Sequence, residues 1–583
     1  LGNREVASSR LESEWPRLDK LQLSIVHDQT DSVSIGFSHR PEYAPDPQSF
    51  VEVSGNKERL IALDGFIGNL VDVGCSTLKP STVFDTFDKG IAETINTFRG
   101  QFALVYFSVA DRRLVLTSDH LGIGGVFYYV TSDGALLFST ELRRLIAAAS
   151  VKRQRNSVCV ARMIAYSSRD SEMTLCEGVF RVPGGQLMLW SSKGMERVPY
   201  WKPDLEFEDS RPEAELISDY RERFQTAVAR CLTGSVRPGV AVSGGLDSSS
   251  VLGAMLKQAN GRWTPVAASA RMSNYAEGNE DRFLRSLRQS MNATFASQEP
   301  RLLCSLDDIA ALSDNPLSMG WFSVVEAALA VAERAQCDVA LTGEFGDLVG
   351  GCSIRAAWRT EPSDVVSPKF PGAIVSSLRR AARHSRIVLR RSRCTLQWVH
   401  AALSVLSMAS FDALGGLGAF ATHTHQLTGL SGDERTTLWL TFETSLNAAV
   451  DNWLLASRIA RVPVRHPFCD LDLVELALAM PNDLAVRGNI NRFVHREALR
   501  DMIPDEIRWR TAKAYFTEYF QMFMKNTARN TSREVWRPIE DLVESSRAVQ
   551  LLTPQSLGGA LPRRFAFAAL CLGTWLRRYG FNC

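Results

Sequence analysis

Gly239-Val240-Ala241-Val242-Ser243-Gly244-Gly245-Leu246-Asp247-Ser248-Ser249-Ser250 is the stretch that decides the fold of this chain. Gly239–Val242 is a short apolar run, the pattern of a strand buried on both faces. Ser-Gly-Gly follows, and Ser248–Gln258 reads as a helix. Two glycines let the backbone approach a ligand closely and take positive φ. A helix N-terminus then offers unsatisfied N–H groups and the positive end of its dipole. With the Ser243 and Ser248 hydroxyls added, the product is a nest for phosphate oxygens. It lacks the Gly-Lys-Ser/Thr ending of a Walker loop, so it is a different phosphate device. Asp247 repels bare phosphate and makes sense as a ligand holding Mg²⁺ against it. The plainer alternatives are a tight turn for Ser-Gly-Gly and a helix N-cap for Asp247.

Outward from this loop, helix and strand patterns alternate. Ala214–Cys231, Glu280–Met291 and Ser323–Ala335 read as helices, Thr264–Ala270 and Val339–Thr342 as strands. That alternation predicts a parallel sheet with crossovers. Gly343-Glu344-Phe345-Gly346-Asp347 follows the last of these strands. Ligands of open α/β sheets sit at the carboxyl ends of strands, so Asp247 and Asp347 should converge on one crevice. Two carboxylates plus phosphate oxygens suit Mg²⁺. Beyond 370 the pattern is mainly helical.

The first part of the chain differs. Leu21–Val26, Leu60–Ala62, Phe102–Phe107, Leu114–Thr117, Gly125–Val130, Ala135–Phe138 and Gln186–Trp190 are short apolar or alternating runs. Gly, Asp and Asn separate most of them, which predicts packed antiparallel sheets. Pro203–Glu215 is acidic and Pro-containing and reads as a linker.

The 583 residues are 45% hydrophobic and 22% charged, which excludes wholesale disorder, collagen and a coiled-coil rod. Lys+Arg 66 against Asp+Glu 64 gives a net charge of +2, so no general nucleic-acid binder is indicated. The 11 cysteines are scattered without CxxC, which suits a reducing, cytoplasmic setting. Residues 1–10 lack a signal-peptide apolar region. The weakly charged stretch Ala402–Leu427 is too polar for a bilayer, so no membrane insertion is expected.

Ser243–Ser249 resembles the pyrophosphate loop of the ATP pyrophosphatases, and Thr342–Asp347 resembles the second metal loop of their asparagine synthetase branch. Arg465-His466-Pro467-Phe468-Cys469-Asp470 is similar to that branch's Arg-x-Pro-Phe-Leu-Asp segment. His495–Arg500, Ile503-Pro504 and Arg510-Thr511-Ala512-Lys513 follow in the family's order, the last one residue longer than its Arg-x-Lys. In the first half, Gly100–Leu104, Ser118–Gly124, Tyr128-Tyr129 and Phe138–Glu141 are similar to the family's amidotransferase part. The resemblance implies a multi-domain α/β protein. Residues 1–202 would be glutaminase-like, of Ntn type, with stacked antiparallel sheets and flanking helices. Residues 203–583 would be an ATP-pyrophosphatase-like (adenine nucleotide α-hydrolase-like) parallel sheet with helices, carrying an insertion around 352–440.

The chain also departs from the family. A glutaminase of this type uses Cys at residue 1; here residue 1 is Leu and the first cysteine is Cys75. Asp64-Gly-Phe-Ile-Gly-Asn69 stands where Asn-Gly-Glu-Ile-Tyr-Asn is expected, and Ser118 replaces the Arg of Arg-Asp. The expectation is a degenerate glutaminase. The amine must then come from another substrate, as in β-lactam synthetases and lasso-peptide cyclases. β-Lactam synthetases carry Tyr where this chain has Glu344. Residues 352–440 include Arg379, Arg380, Arg383, Arg386, Arg390, Arg391 and Arg393, a basic face for a larger substrate or partner, or simply a solvated one.

The favoured expectation is a lasso-peptide cyclase. It would adenylate an Asp or Glu side chain of a precursor peptide with ATP and Mg²⁺ and form a macrolactam with the N-terminal amine. Leader-binding and protease proteins are the expected partners. The alternatives are a small-molecule amide or β-lactam synthetase, an asparagine-synthetase-like enzyme, and an inactive binding module. The resemblance implies that Ala241, Ala268 and Gly343 lie near adenine. Ser243, Gly244, Gly245 and Ser248 would hold pyrophosphate and Asp247 and Asp347 the metal. Lys513 would stabilise the oxyanion, with Glu344 as base or positioning group.

Overall fold

The computed structural model describes residues 21–27, 32–38, 46–53, 59–70, 87, 90–166, 171–191, 193–300, 305–317, 322–351, 406, 434–488, 490–512, 514–529, 532–552 and 560–581. Cys75, the Arg379–Arg393 run and Lys513 lie outside them.

The first half contains antiparallel sheets. Strands β1 (Leu21–His27) and β2 (Ser32–Ser38) form a hairpin. A six-stranded sheet takes β3 (Phe50–Val53), β4 (Arg59–Ile67), β5 (Gly100–Ser108), β6 (Arg113–Ser118), and, after a gap, Gln186–Ser191 and Gly194–Pro199. A three-stranded sheet holds β7 (Phe127–Val130), β8 (Leu136–Ser139) and β9 (Val179–Arg181). Strand β5 shows why the layers stack. Ala103, Val105 and Phe107 join Tyr128 and Val126 between the two sheets. Phe102, Leu104 and Tyr106 pack on the other face with Phe87, Ile95 and Phe98. A strand buried on both faces reads as an unbroken apolar run.

The second half is a five-stranded parallel sheet. In chain order its strands, after β10 (Gln186–Ser191) and β11 (Gly194–Pro199), are β12 (Pro238–Ala241), β13 (Val266–Ala270), β14 (Thr294–Gln298), β15 (Val339–Thr342) and β16 (Val464–Arg465). Their spatial order is β14-β13-β12-β15-β16. Val240, Ala267, Val339 and Leu341 face the helices Glu213–Leu232 and Leu246–Ala259. Ala268 and Ala340 lie on the face covered by Phe322–Arg334, in a core that extends to the helix Ala560–Arg578.

The two halves pack closely on either side of residues 202–215. One core runs from Phe127, Leu142 and Val160 of the first half to Leu570 and Trp575 of the second. The supposed linker is anchored: Trp201 Nε1 donates to Glu475 at 2.7 Å, and the Asp209 amide donates to the Ala479 carbonyl at 2.9 Å. Its last three residues already form the first turn of Glu213–Leu232. Among the described residues, no helix is long and apolar enough to cross a membrane.

Candidate active site

The glycine loop joins the end of β12 to the helix Leu246–Ala259. Gly244 has φ +81°, in the left-handed region that disfavours a side chain. Gly245 occupies the N-cap, so Asp247 lies inside the first turn and is no cap. Ser248 Oγ closes the loop on itself: it accepts from the Ser243 amide at 3.1 Å and lies 3.2 Å from Ser243 Oγ. The Gly245 amide donates to Ser243 Oγ at 3.2 Å.

The second loop leaves β15 directly beside it, because β12 and β15 pair in parallel from Pro238↔Val339 to Ala241↔Thr342. Contact between the loops demands glycine twice. A Cβ on Gly343 would lie 2.4 Å from the Ser248 amide nitrogen, and one on Gly346 would lie 2.6 Å from the Asp247 side chain. Asp347 then falls in the one-turn helix Gly346–Val349.

Both loops open on one cavity of about 260 Å³. Ala241, Ser243, Gly245, Asp247, Ser248, Gly343, Glu344 and Asp347 line it, as expected from the sequence. Gly244 and Ala268 are not among its lining residues. The Gly244 carbonyl turns to Arg510 Nη1, which donates to it at 3.2 Å. The Ala268 side chain is in the core, and its carbonyl accepts from the Val242 amide at 2.8 Å; Ala270, farther along the strand, reaches the wall instead. Lys513 is outside the described residues, although Ala512 and Ala514 on either side of it line the cavity.

Sequence reasoning assigned no role to four polar residues of this wall. Arg492 Nη1 donates to Asp247 at 2.8 Å (Oδ1) and 2.6 Å (Oδ2). Burial pushes the Arg492 guanidinium pKa down, but Asp247 and then Asp347 outweigh it and the net direction is up. Both carboxylates thus already act on one cation. Arg510 bonds Glu280 and stacks 3.9 Å from the Phe283 ring centroid, tying the glycine loop to the next helix. Trp453 Nε1 donates to Glu344 Oε2 at 2.8 Å. The Nε groups of Arg492 and Arg510 are buried without a hydrogen-bond partner among the described residues. Met272, Leu284, Val325 and Phe516 add apolar wall to the cavity. A wall that combines cationic and N–H-rich loops with apolar side chains suits a nucleotide with its phosphates at the loops.

A second cavity of about 130 Å³ lies between the halves, with Asp64, Gln101, Glu141, Arg458 and His466 in its wall. Burial raises the Asp64 pKa, opposed by a hydrogen bond from Thr140. Phe66, in the position where the family's segment has Glu, is only 3% exposed and lies under the Arg465 guanidinium at 4.0 Å.

The asparagine synthase family matches residues 219–566, and this chain belongs to it. Residues 82–201 match the glutamine amidotransferase domain family. The chain is 26% identical over 483 residues to amidase chry2 of Gibberella zeae, covering 72% of this chain and 70% of that one. It is 34% identical over 163 residues to amidase chyE of Penicillium rubens, covering 27% and 24%. To the glutamine-hydrolyzing asparagine synthetase 3 of Bacillus subtilis it is 22% identical over 457 residues, covering 73% and 68%. The fold is thus an amidotransferase-type set of antiparallel sheets joined to a synthase-type parallel sheet, and the family is one of ATP-dependent amide-forming enzymes.

Proposed function

We propose that the chain is a carbon–nitrogen ligase that adenylates a carboxylate and passes the acyl group to an amine carried by its own substrate. The observation that carries this is the junction of the two loops, which sets Asp247 and Asp347 on one cavity with Arg492 between their charges. A carboxylate oxygen attacks the α-phosphorus of ATP, and the bond to the bridging oxygen breaks as pyrophosphate leaves. Ser243, Ser248 and the Gly245 amide bind the departing oxygens, and Arg492 and Arg510 offset their charge. The amine then attacks the acyl carbon, AMP departs, and the amine loses its proton. Glu344, oriented by Trp453, is the cavity's candidate to position that amine or accept the proton. Asp247 and Asp347 fit Mg²⁺ as its protein ligands, since both already stabilise a cation. Bound there, the metal would neutralise charge on the phosphates.

The amine source follows from the first half. Where the family's segment has Glu, Phe66 is a core residue under Arg465, and Ser118 spends its hydroxyl on the Gly124 carbonyl. Neither is placed to hold glutamine. The substrate we favour is a precursor peptide whose Asp or Glu side chain closes on its N-terminal amine, with leader-binding and protease proteins as partners. The relatives named amidase and asparagine synthetase favour a second reading, a small-molecule amide synthetase.

The test incubates the full chain with ATP, Mg²⁺ and candidate carboxylates and follows AMP, pyrophosphate exchange and product mass. Loss of one water from a single peptide supports macrolactam closure, and joining of two small molecules supports the second reading. Release of glutamate from glutamine, coupled to product, would overturn the assignment of the amine. Absence of AMP with every substrate would leave only a binding module.

A further inference from the structure

The amidotransferase-like half makes a two-point hydrogen bond to the segment beside the second loop through Gln101. Gln101 stands near the start of β5 and is 7% exposed. Its Nε2 donates to the His466 carbonyl at 2.8 Å, and its Oε1 accepts from the His466 amide at 3.1 Å. His466 follows the edge strand β16, whose last rung with β15 is Leu341↔Arg465. A primary amide therefore continues the hydrogen bonding of the main chain where the ladder stops.

The His466 ring carries the constraint onward. Its Nδ1 lies 2.7 Å from Thr342 Oγ1, and the Glu344 amide donates to the same oxygen at 3.3 Å. The ring and the hydroxyl share this hydrogen bond, its direction set by the ring's tautomer. Burial holds the ring neutral, with its pKa pushed down to about 3. The ring also meets Phe345 and Trp453 edge-on, at centroid distances of 6.0 and 5.9 Å, and Trp453 bonds Glu344. Gln101, His466, Thr342 and Trp453 are all buried.

We propose that Gln101 is a positioning residue for the ligase reaction, fixing the Gly343–Asp347 loop through the His466–Thr342 hydrogen bond. The first half would then serve catalysis as a brace for the other half's second loop. This rests on the reading of the glycine-loop cavity as an adenylation site.

Gln101→Met keeps the length of the side chain and removes both hydrogen bonds. Thr342→Val keeps the shape at the far end and removes the hydroxyl. In the full chain each variant should keep its far-ultraviolet circular dichroism. Each should lower kcat of ATP–pyrophosphate exchange about 10-fold with KM for ATP changed less than about threefold, because a small displacement costs chemistry more than binding. The double variant should be no slower than the slower single one, since both cut one connection. Hydrogen exchange supplies a readout independent of turnover: the Glu344 amide should exchange faster in Gln101→Met. A folded Gln101→Met protein with native kcat and native Glu344 exchange overturns the proposal, as does strict additivity in the double variant. If the unaltered chain shows no exchange of pyrophosphate, the adenylation reading fails, and the Glu344 protection still decides whether Gln101 holds the loop.

Discussion

Arg465 and Asp46 join the two halves by a buried ion pair whose loss should be large and measurable. Arg465 Nη2 and Nε donate to the two Asp46 carboxylate oxygens at 2.7 and 2.8 Å. Arg465 is 0% exposed and Asp46 8%. The guanidinium also donates to the carbonyls of Cys231 at 2.8 Å and Thr233 at 2.7 Å. In Asp46→Ala those carbonyls and the Phe66 ring remain, but the buried charge loses its counter-ion. Removing one partner of such a pair costs about 3–5 kcal/mol. A chain of this size with two halves is a poor case for a single unfolding free energy, so the assay is native-state hydrogen exchange at the amides of residues 46–49 and 464–466. Their opening free energy should fall by about 3–5 kcal/mol. Arg465→Met with Asp46→Ala should cost less than the two single losses added, because the apolar pair leaves neither charge stranded. A loss below about 1 kcal/mol in Asp46→Ala is what an exposed pair would give, and it would refute the claim that the halves close on a buried ion pair here.

The other expectations concern the site and its surroundings. Asp247→Ala should abolish conversion of ATP to AMP; normal AMP and pyrophosphate release would remove it from the metal site. Gly346→Ala puts a Cβ 2.6 Å from the Asp247 side chain; the displaced carboxylate should reduce kcat at least 10-fold, and unchanged kinetics would show that the two loops do not touch. Trp453→Phe removes the donor to Glu344 and should lower kcat about 10-fold with little change in KM for ATP, the pattern of a group acting on the reacting atoms. Burial pushes His120 to about 4, His466 to about 3 and His495 well below the ordinary 6.5. The unfolded chain binds these protons below pH 6.5 and the native one refuses them, so their contribution is intact above that pH. It is lost as pH falls, by about 1.4 kcal/mol per unit for each ring. His120→Gln should reduce that slope by one proton between pH 6 and 5 in the opening free energy read by native-state hydrogen exchange at the amides around residue 120, and an unchanged slope would contradict a buried neutral ring.

Legibility of the fold followed burial. Val339–Thr342 is an apolar run with both faces covered, and its sequence bounds match the strand. Pro238–Ala241 and Val266–Ala270 fall within two residues of their expected ends for the same reason. Strand β14, Thr-Phe-Ala-Ser-Gln, lies at the sheet edge, partly exposed, and has no such run to announce it. Strand β11 is exposed along nearly its whole length and is charged, so nothing in its pattern marks a strand. At the site, Asp247 and Asp347 were legible because each sits in a glycine-bearing loop at a strand end. Trp453 and Arg492 were not, because their roles come from helices and turns packed across the cavity. Arg492 is 245 residues from the carboxylate it binds. Arg510 stood inside a recognisable segment, but its task of holding the Gly244 carbonyl is a contact that no local spacing encodes.

The first half cannot be viewed as a detachable remnant, and the reason is energetic. The Phe66 ring lies against Arg465, which it shields together with Asp46, and Gln101 satisfies both backbone groups of His466. Withdrawing these side chains would leave a fully buried guanidinium without its counter-ion and two main-chain groups without partners, each costly in a dry interior. The residues at stake, Arg465 and His466, border the strand that carries the second loop. A change at Gln101 on the amidotransferase-like face would therefore be felt at Thr342 and Glu344, which belong to the second loop and the strand that carries it. Selection acting on the second loop would then preserve this half for its packing and hydrogen bonds.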